Sequence, residues 1–179
     1  MGRLLLVPCF LWASMRHNFT AAFVIFVSAA VTDVLDGAIA RRMNLRSRLG
    51  AILDPAADKT LMVCGFLYYT FAHGLPRVAI PGWLTFTVFI RDVMIVFFAY
   101  LMYTRIRITR FPPTVWGKSS TMLQAVTLAA AIAANGILPG LVGFAQLLFR
   151  LSLFMTLFSG WDYLRRASNI VRAELPAQA

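Results

Sequence analysis

Four aspartates are the residues of this chain best suited to chemistry, and they lie close together in the sequence. Asp33 and Asp36 are three residues apart, and Asp54 and Asp58 are four apart, in a chain with seven acidic residues in total. On helices, these spacings place each pair on one face. Carboxylate oxygens are the ligands that hard divalent cations prefer, and two such cations stabilise the attacking and leaving oxygens of a phosphoryl transfer. The pattern therefore predicts a metal-dependent phosphoryl-transfer site.

Small residues and one cation accompany the acidic pairs. Gly37 and Ala40 follow the first pair, Arg41 comes next, and Gly50 precedes the second pair. Small side chains lower the surface of a helix, so a bulky ligand can approach the backbone closely, and Arg41 can partly neutralise the group of carboxylates. The alternative interpretation is helix–helix packing through small residues, which is common in membranes.

The elements that must position these residues are those of a membrane protein. The 179 residues are 60% hydrophobic and 13% charged, with a mean hydropathy of +0.74, whereas soluble domains are nearer half apolar and a quarter charged. A spanning helix needs about 20 apolar residues, so no room remains for a soluble catalytic domain. We predict an all-α, polytopic integral membrane protein with six transmembrane helices in a single domain, 1–179. The predicted helices cover about 4–15, 18–42, a third that begins somewhere in 48–54 and ends at 72, and then 82–103, 117–134 and 141–163. The polar tail from Arg165 onward is expected to end freely.

Positive charge predicts the topology. Lys and Arg outnumber Asp and Glu by 17 to 7, and most of these cations fall at alternate helix ends. Cytoplasmic loops carry such an excess, which favours an arrangement with both termini in the cytoplasm. Among the loop cations, Arg16 and Arg77 fall on the opposite side. An excess of basic residues is also typical of nucleic-acid-binding proteins. Here the arginines lie between long apolar segments, so no nucleic-acid partner is expected.

Written out, the acidic region reads Asp33-x-x-Asp36-Gly37-x-x-Ala40-Arg41, then eight residues, then Gly50-x-x-x-Asp54-x-x-x-Asp58. Eight fixed identities at fixed spacing resemble the signature of the CDP-alcohol phosphatidyltransferase family. One departure lies before the first helix. Family members usually carry an amphipathic stretch there with Pro-Asn and Leu-Thr elements, whereas here Met1-Gly2-Arg3 leads directly into an apolar run.

The resemblance implies a specific reaction and site. It implies a homodimer of six-helix chains among membrane lipids, most simply in a bacterial inner membrane, with a polar cavity open to the cytoplasm. The donor would be CDP-diacylglycerol, the acceptor an alcohol, and the product CMP. Two divalent ions, Mg²⁺ or Mn²⁺, would be held by Asp33, Asp36, Asp54 and Asp58, and Asp58 would act as the general base. The CDP-binding residues would be Asp33, Gly37, Ala40, Arg41 and Gly50.

The acceptor is predicted from three further segments. Arg91-Asp92, Gly117-Lys118 and Ser159-Gly160-x-x-Tyr163 resemble the branch of the family that uses glycerol 3-phosphate, and a related branch that uses phosphatidylglycerol is the alternative. An anionic acceptor needs cations, for which the candidates are Lys118, Arg91, Arg105, Arg107 and Arg110. For Arg91 the alternative is an ion pair with Asp92 or with a carboxylate of the acidic motif. For the other three arginines it is topology and attraction to anionic lipids. Outside this class, a carboxylate-lined ion or metal transporter also holds acids in the membrane.

Overall fold

In the residues that it describes, the computed structural model consists of helices joined by short turns and loops. The described backbone comprises residues 2–43, 48–106 and 114–174, and the described side chains 6–32, 59–98, 101, 114–166 and 168. This part of the chain contains no strand. Its elements are α1 (Gly2–Met15), α2 (Phe19–Met43), α3 (Arg48–Phe71), α4 (Gly82–Ile106), α5 (Val115–Asn135), a 3-10 turn (Pro139–Leu141) and α6 (Val142–Glu174).

The apolar pattern located these helices well, with one error at the end of the chain. The expected free tail from Arg165 onward is wrong, because α6 continues to Glu174. No Gly or Pro interrupts residues 165–174, so nothing local ends the helix. An ion pair of 3.1 Å between Asp162 and Arg166, one turn apart, also supports helix at the point where the apolar run ends.

Apolar length identifies one clear membrane span in the described part of the chain. The stretch Pro139–Arg166 is long and apolar enough to cross a membrane, by length and composition, and Leu6–Met15 and Phe19–Thr32 are shorter apolar helical stretches. Large apolar side chains on α6 such as Phe154, Leu157 and Trp161 are exposed, as a lipid-facing helix requires. The count of six spans stays a prediction.

The chain forms two compact units, one of Met1–Ile80 with Ala125–Gln146 and the other of Pro81–Gln124 with Leu147–Ala179. In the first, α1 packs against α2 and α3. The ring of Phe10 on α1 lies 6.0 Å from Phe26 on α2, and Tyr69 lies 6.1 Å from Phe19. Because Phe19 begins α2 and Tyr69 lies near the end of α3, these two helices are antiparallel neighbours, as the short connection between them predicts.

Asn135, the last residue of α5, fastens the connection between α3 and α4 in the same unit. Its side-chain oxygen accepts hydrogen bonds of 3.1 Å from the backbone N–H groups of Arg77 and Val78. Its nitrogen donates to the backbone oxygens of Val78 at 2.7 Å and of Ala131 at 2.9 Å. The side chain is almost fully buried and uses both polar atoms, which fixes the connection against the end of α5.

Gly136 follows Asn135 and leaves no space for a side chain. A Cβ there would lie 2.8 Å from Cβ of Phe19 and 3.1 Å from the backbone nitrogen of Thr20. We expect Gly136→Ala to lower the free energy of unfolding by about 1–3 kcal/mol, since the start of α2 must move. Thermal unfolding in detergent measures this. Gly143→Ala is the matched control, because nothing lies within 4 Å of its Cβ position, and an equal loss there would contradict the explanation.

The second unit has a buried polar contact between α5 and α6. The side-chain nitrogen of Gln124 donates to the hydroxyl oxygens of Thr156 at 3.1 Å and of Ser120 at 3.3 Å. All three side chains are buried. Between apolar helices, such hydrogen bonds hold two elements together where apolar surface alone specifies little.

Candidate active site

Helices α2 and α3 carry the four aspartates of the predicted metal site. Asp33 and Asp36 lie in α2, and Asp54 and Asp58 in α3. Phe19 and Tyr69 are in contact, so distances along α2 and α3 can be counted from them at about 1.5 Å per residue. On this count Asp33, Asp36 and Asp54 lie about 21–26 Å from that contact along their helices, and Asp58 lies about 17 Å from it. Measured along the helix axes, the four residues therefore lie within about 9 Å of one another in depth. Their side chains lie outside the described residues, so the metal site itself stays a prediction.

Most other residues of the predicted site also fall outside the described side chains. Of the CDP-binding set this holds for Gly37, Ala40, Arg41 and Gly50, and of the acceptor set for Arg105, Arg107 and Arg110. Among the His, Cys, Asp and Glu side chains that the structure does describe, no group of three or more could hold a metal ion. That result bears on the rest of the chain, and not on Asp33, Asp36, Asp54 or Asp58.

The first turn of α5 presents Lys118. Thr114 caps this helix, because its hydroxyl oxygen accepts a 2.9 Å hydrogen bond from the N–H of Gly117, and Lys118 donates its own N–H to the Thr114 carbonyl at 3.1 Å. The Lys118 side chain is exposed. A cation beside the positive end of a helix, where free N–H groups point outward, can bind a phosphate.

Arg91 is buried in α4 and its guanidinium is engaged within the second unit. Nη1 lies 3.0 Å from a carboxylate oxygen of Asp92, and Nη2 donates a 2.7 Å hydrogen bond to Ser159 in α6. The residue is 7% exposed. The ion pair with Asp92, which was one of the two interpretations open for Arg91, is therefore present. Ser159 was recognised from the sequence as part of a motif, but its contact with Arg91, 68 residues away, was not.

Arg150 is a charged residue that the sequence reasoning passed over. It lies inside the apolar stretch of α6, and its side chain is exposed. An ionisable residue within a membrane segment is a functional candidate by default, since its insertion costs about 2.5–3.5 kcal/mol. The signal was available, because Arg150 is the one charge between Arg110 and Asp162 apart from Lys118.

In the part of the chain that the structure describes, the protein is all-helical, and two antiparallel helices carry the paired aspartates. Comparison with known proteins identifies the family. The family model of the CDP-alcohol phosphatidyltransferases matches residues 1–159. The chain belongs to this family, which is a family of membrane proteins that use divalent metal ions.

Relatives with two different names are similar to this chain. A human protein named cardiolipin synthase (CMP-forming) is 32% identical over 91% of the chain and 58% of its own length. A CDP-diacylglycerol–glycerol-3-phosphate 3-phosphatidyltransferase of Aquifex aeolicus is 29% identical over 72% of the chain and 69% of its own length. A cardiolipin synthase (CMP-forming) of Streptomyces coelicolor is 29% identical over 99% of the chain and 84% of its own length. The chain thus spans less than two thirds of the human relative.

Proposed function

We propose that this protein transfers a phosphatidyl group from CDP-diacylglycerol to an alcohol and releases CMP, as a step of phospholipid biosynthesis. The observation that carries this proposal is the family signature on two antiparallel helices. The match to the family over residues 1–159 supports it, and so do the printed activities of the relatives. The same match disfavours an ion or metal transporter, the function outside this class.

The proposed architecture is a homodimer of six-span chains in a membrane, with both termini and the active site on the cytoplasmic side. Five of the helices in the described chain, α2 to α6, have 21–33 residues, long enough for a hydrocarbon core of about 30 Å. α1, with 14 residues, rises about 21 Å, so it would need flanking residues or local thinning to span.

The donor set suits two hard divalent cations, Mg²⁺ or Mn²⁺. Asp33 and Asp36 belong to one helix and Asp54 and Asp58 to its antiparallel neighbour, and carboxylate oxygens are the ligand type that these ions prefer. Bound there, the ions would neutralise the pyrophosphate and the charge that develops during transfer.

The chain's own residues supply the rest of the chemistry. Asp58 accepts the proton of the acceptor hydroxyl, whose oxygen then forms a bond to the lipid-side phosphorus. The bond from that phosphorus to the bridging oxygen breaks, and CMP leaves with the electron pair. Arg41 would neutralise the negative charge of the diphosphate, while the small residues Gly37, Ala40 and Gly50 would let the nucleotide approach the helices. Because positioning and electrostatics dominate phosphoryl transfer, a site built from helix surfaces is sufficient.

Glycerol 3-phosphate is the proposed acceptor, and phosphatidylglycerol is the second candidate. The exposed Lys118 at the N-terminal turn of α5 supports an acceptor with a phosphate, and Arg105, Arg107 and Arg110 supply further positive charge. The similarity to proteins named cardiolipin synthase over 91% and 99% of the chain favours phosphatidylglycerol. Both acceptors present a primary hydroxyl and at least one phosphate, so the site residues alone do not separate them.

An acceptor panel tests the reaction and the acceptor together. Purified protein with CDP-diacylglycerol and Mg²⁺ is expected to release CMP when glycerol 3-phosphate is added, and not with inositol or serine. CMP release with phosphatidylglycerol alone would replace the acceptor and keep the reaction. If no acceptor gives CMP, while the protein moves Mn²⁺ into liposomes, the transferase proposal is wrong.

A further inference from the structure

Two glycines on different helices form a slot for the Arg91 side chain. At Gly117 in α5, a Cβ would lie 3.1 Å from the hydroxyl oxygen of Thr114, 3.2 Å from Nη2 of Arg91 and 3.8 Å from the hydroxyl oxygen of Ser159. At Gly160 in α6, a Cβ would make ordinary contacts, 3.4 Å from Cε of Met94 and 3.8 Å from Cγ of Arg91. The stem of the arginine therefore passes Gly160 and its head lies against Gly117. We call Arg91, Gly117, Ser159 and Gly160 the arginine slot.

The guanidinium of Arg91 is used inside the protein. One arm is paired with Asp92 and another donates to Ser159, and Nε is buried as well, with no hydrogen-bond partner among the described residues. The head group thus links α4 to α6 by a hydrogen bond and lies against the first turn of α5 at Gly117. In contrast, Lys118 directly follows Gly117 and is exposed.

We infer that Arg91 is a positioning residue for Lys118, and that Gly117 and Ser159 act with it, whereas Arg91 itself does not bind the acceptor. Arg91 fixes the position of the first turn of α5 at Gly117, and Lys118, which follows Gly117, carries the positive charge. This inference rests on the proposed function in one respect, since it takes Lys118 to be the residue that meets the acceptor phosphate. The planar fork of Arg is required, because a single Lys nitrogen does not reach Asp92 and Ser159 in the same way.

A double-mutant cycle with Lys118 tests this inference. Lys118→Ala is expected to raise the KM for glycerol 3-phosphate about tenfold or more, as for a lost charged hydrogen bond. Arg91→Lys, Gly117→Ala and Ser159→Ala are each expected to raise that KM by at least about threefold, because the lysine is displaced. In the Lys118→Ala background, the same three changes should leave it within about twofold. The KM for CDP-diacylglycerol should change less throughout.

The same cycle shows what would overturn the inference. If Arg91→Lys multiplies the KM for glycerol 3-phosphate by the same factor with and without Lys118, Arg91 binds the acceptor directly. If the three changes lower kcat or the yield of protein without moving that KM, the slot is merely structural and the inference is equally wrong. Ser168→Ala and Gly143→Ala are the controls for the same substitutions, since Ser168 is exposed and the Cβ position of Gly143 is open.

A melting experiment tests the slot even if the protein has another activity. Gly117→Ala is expected to lower the Tm by roughly 2–4 °C in the otherwise unchanged protein, since the new methyl group meets both Nη2 of Arg91 and the capping hydroxyl of Thr114. In the Arg91→Lys background the contact with Thr114 remains but the fork is gone, so Gly117→Ala should lower the Tm by less. Equal decreases of the Tm in both backgrounds would refute the slot. If the effects of Gly117→Ala and Arg91→Lys on the Tm are coupled but no acceptor gives CMP, only the proposed function and the role given to Lys118 are wrong.

Discussion

Asp58→Asn is expected to reduce CMP release from CDP-diacylglycerol by about 10²–10⁴-fold, the range for loss of a general base. Asparagine keeps the shape of the side chain but does not accept the proton of the acceptor hydroxyl, and as a neutral group it binds a divalent cation less strongly. Initial rates of CMP release at saturating Mg²⁺ measure the effect. Removal of divalent ions with EDTA should abolish the activity of the unchanged protein, and Mg²⁺ or Mn²⁺ should restore it.

Asp162→Asn is the matched control for Asp58→Asn. The structure places Asp162 in α6, where its partner is Arg166 in an ion pair of two partly exposed side chains, so its loss should alter stability by no more than about 1 kcal/mol. We expect the activity of Asp162→Asn to stay within about twofold of the unchanged protein. If Asp58→Asn were as active as that control, the role assigned to the second acidic pair would be wrong.

Local signals in the sequence were sufficient to find the helices. Apolar runs bounded by Asn18, Gly74, Asn135 and Gly140 predicted elements whose ends differ from the structure by a few residues at most positions. The end of α6 was missed because the boundary was drawn where apolar residues stop, at Tyr163. A helix that leaves the membrane loses its apolar pattern while its backbone hydrogen bonds continue, and so the sequence pattern ends before the helix does.

Contacts between distant residues were beyond the reach of spacing arguments. The sequence left two interpretations of Arg91 open, since any neighbouring acid or a bound anion could satisfy a buried guanidinium. The choice depends on Ser159 and Gly117, which only the packing of α4, α5 and α6 brings to the same place. The motif Gly117-Lys118 was visible, but the close approach of the Thr114 hydroxyl and of the Arg91 head to its glycine was not.

Asn135, in the first compact unit, is a second example of a contact between distant residues that the sequence does not predict. In the sequence, Asn135-Gly136 indicates the end of a helix, because both residues are common where helices stop. In the structure, the Asn135 side chain binds the backbone of residues 77 and 78, which lie 57 or more positions earlier. A residue that marks a helix end in the sequence therefore also makes a tertiary contact, and the contribution of that contact to the free energy of unfolding can be measured.

Asn135→Ala is expected to lower the free energy of unfolding by about 3–5 kcal/mol, the largest loss of stability among the changes considered. It leaves the buried N–H and C=O of Val78 without the partners they have in the structure, and each unsatisfied buried group costs about 1–3 kcal/mol. Thermal or denaturant unfolding of the purified protein measures the loss. Asn18→Ala is the matched control, because Asn18 is an exposed cap of α2 that accepts one hydrogen bond from Ala21, and its loss should cost only about 1 kcal/mol.

Asn135→Asp separates hydrogen bonding from shape. Aspartate has nearly the same volume and keeps an acceptor for the N–H groups of Arg77 and Val78, but it has no N–H to donate to the oxygens of Val78 and Ala131. A carboxylate facing these two oxygens is repelled by them, so at neutral pH we expect Asn135→Asp to be at least as destabilising as Asn135→Ala. Near-normal stability of the aspartate variant would mean that the side chain fills space without fastening the connection, and that the donated hydrogen bonds contribute little.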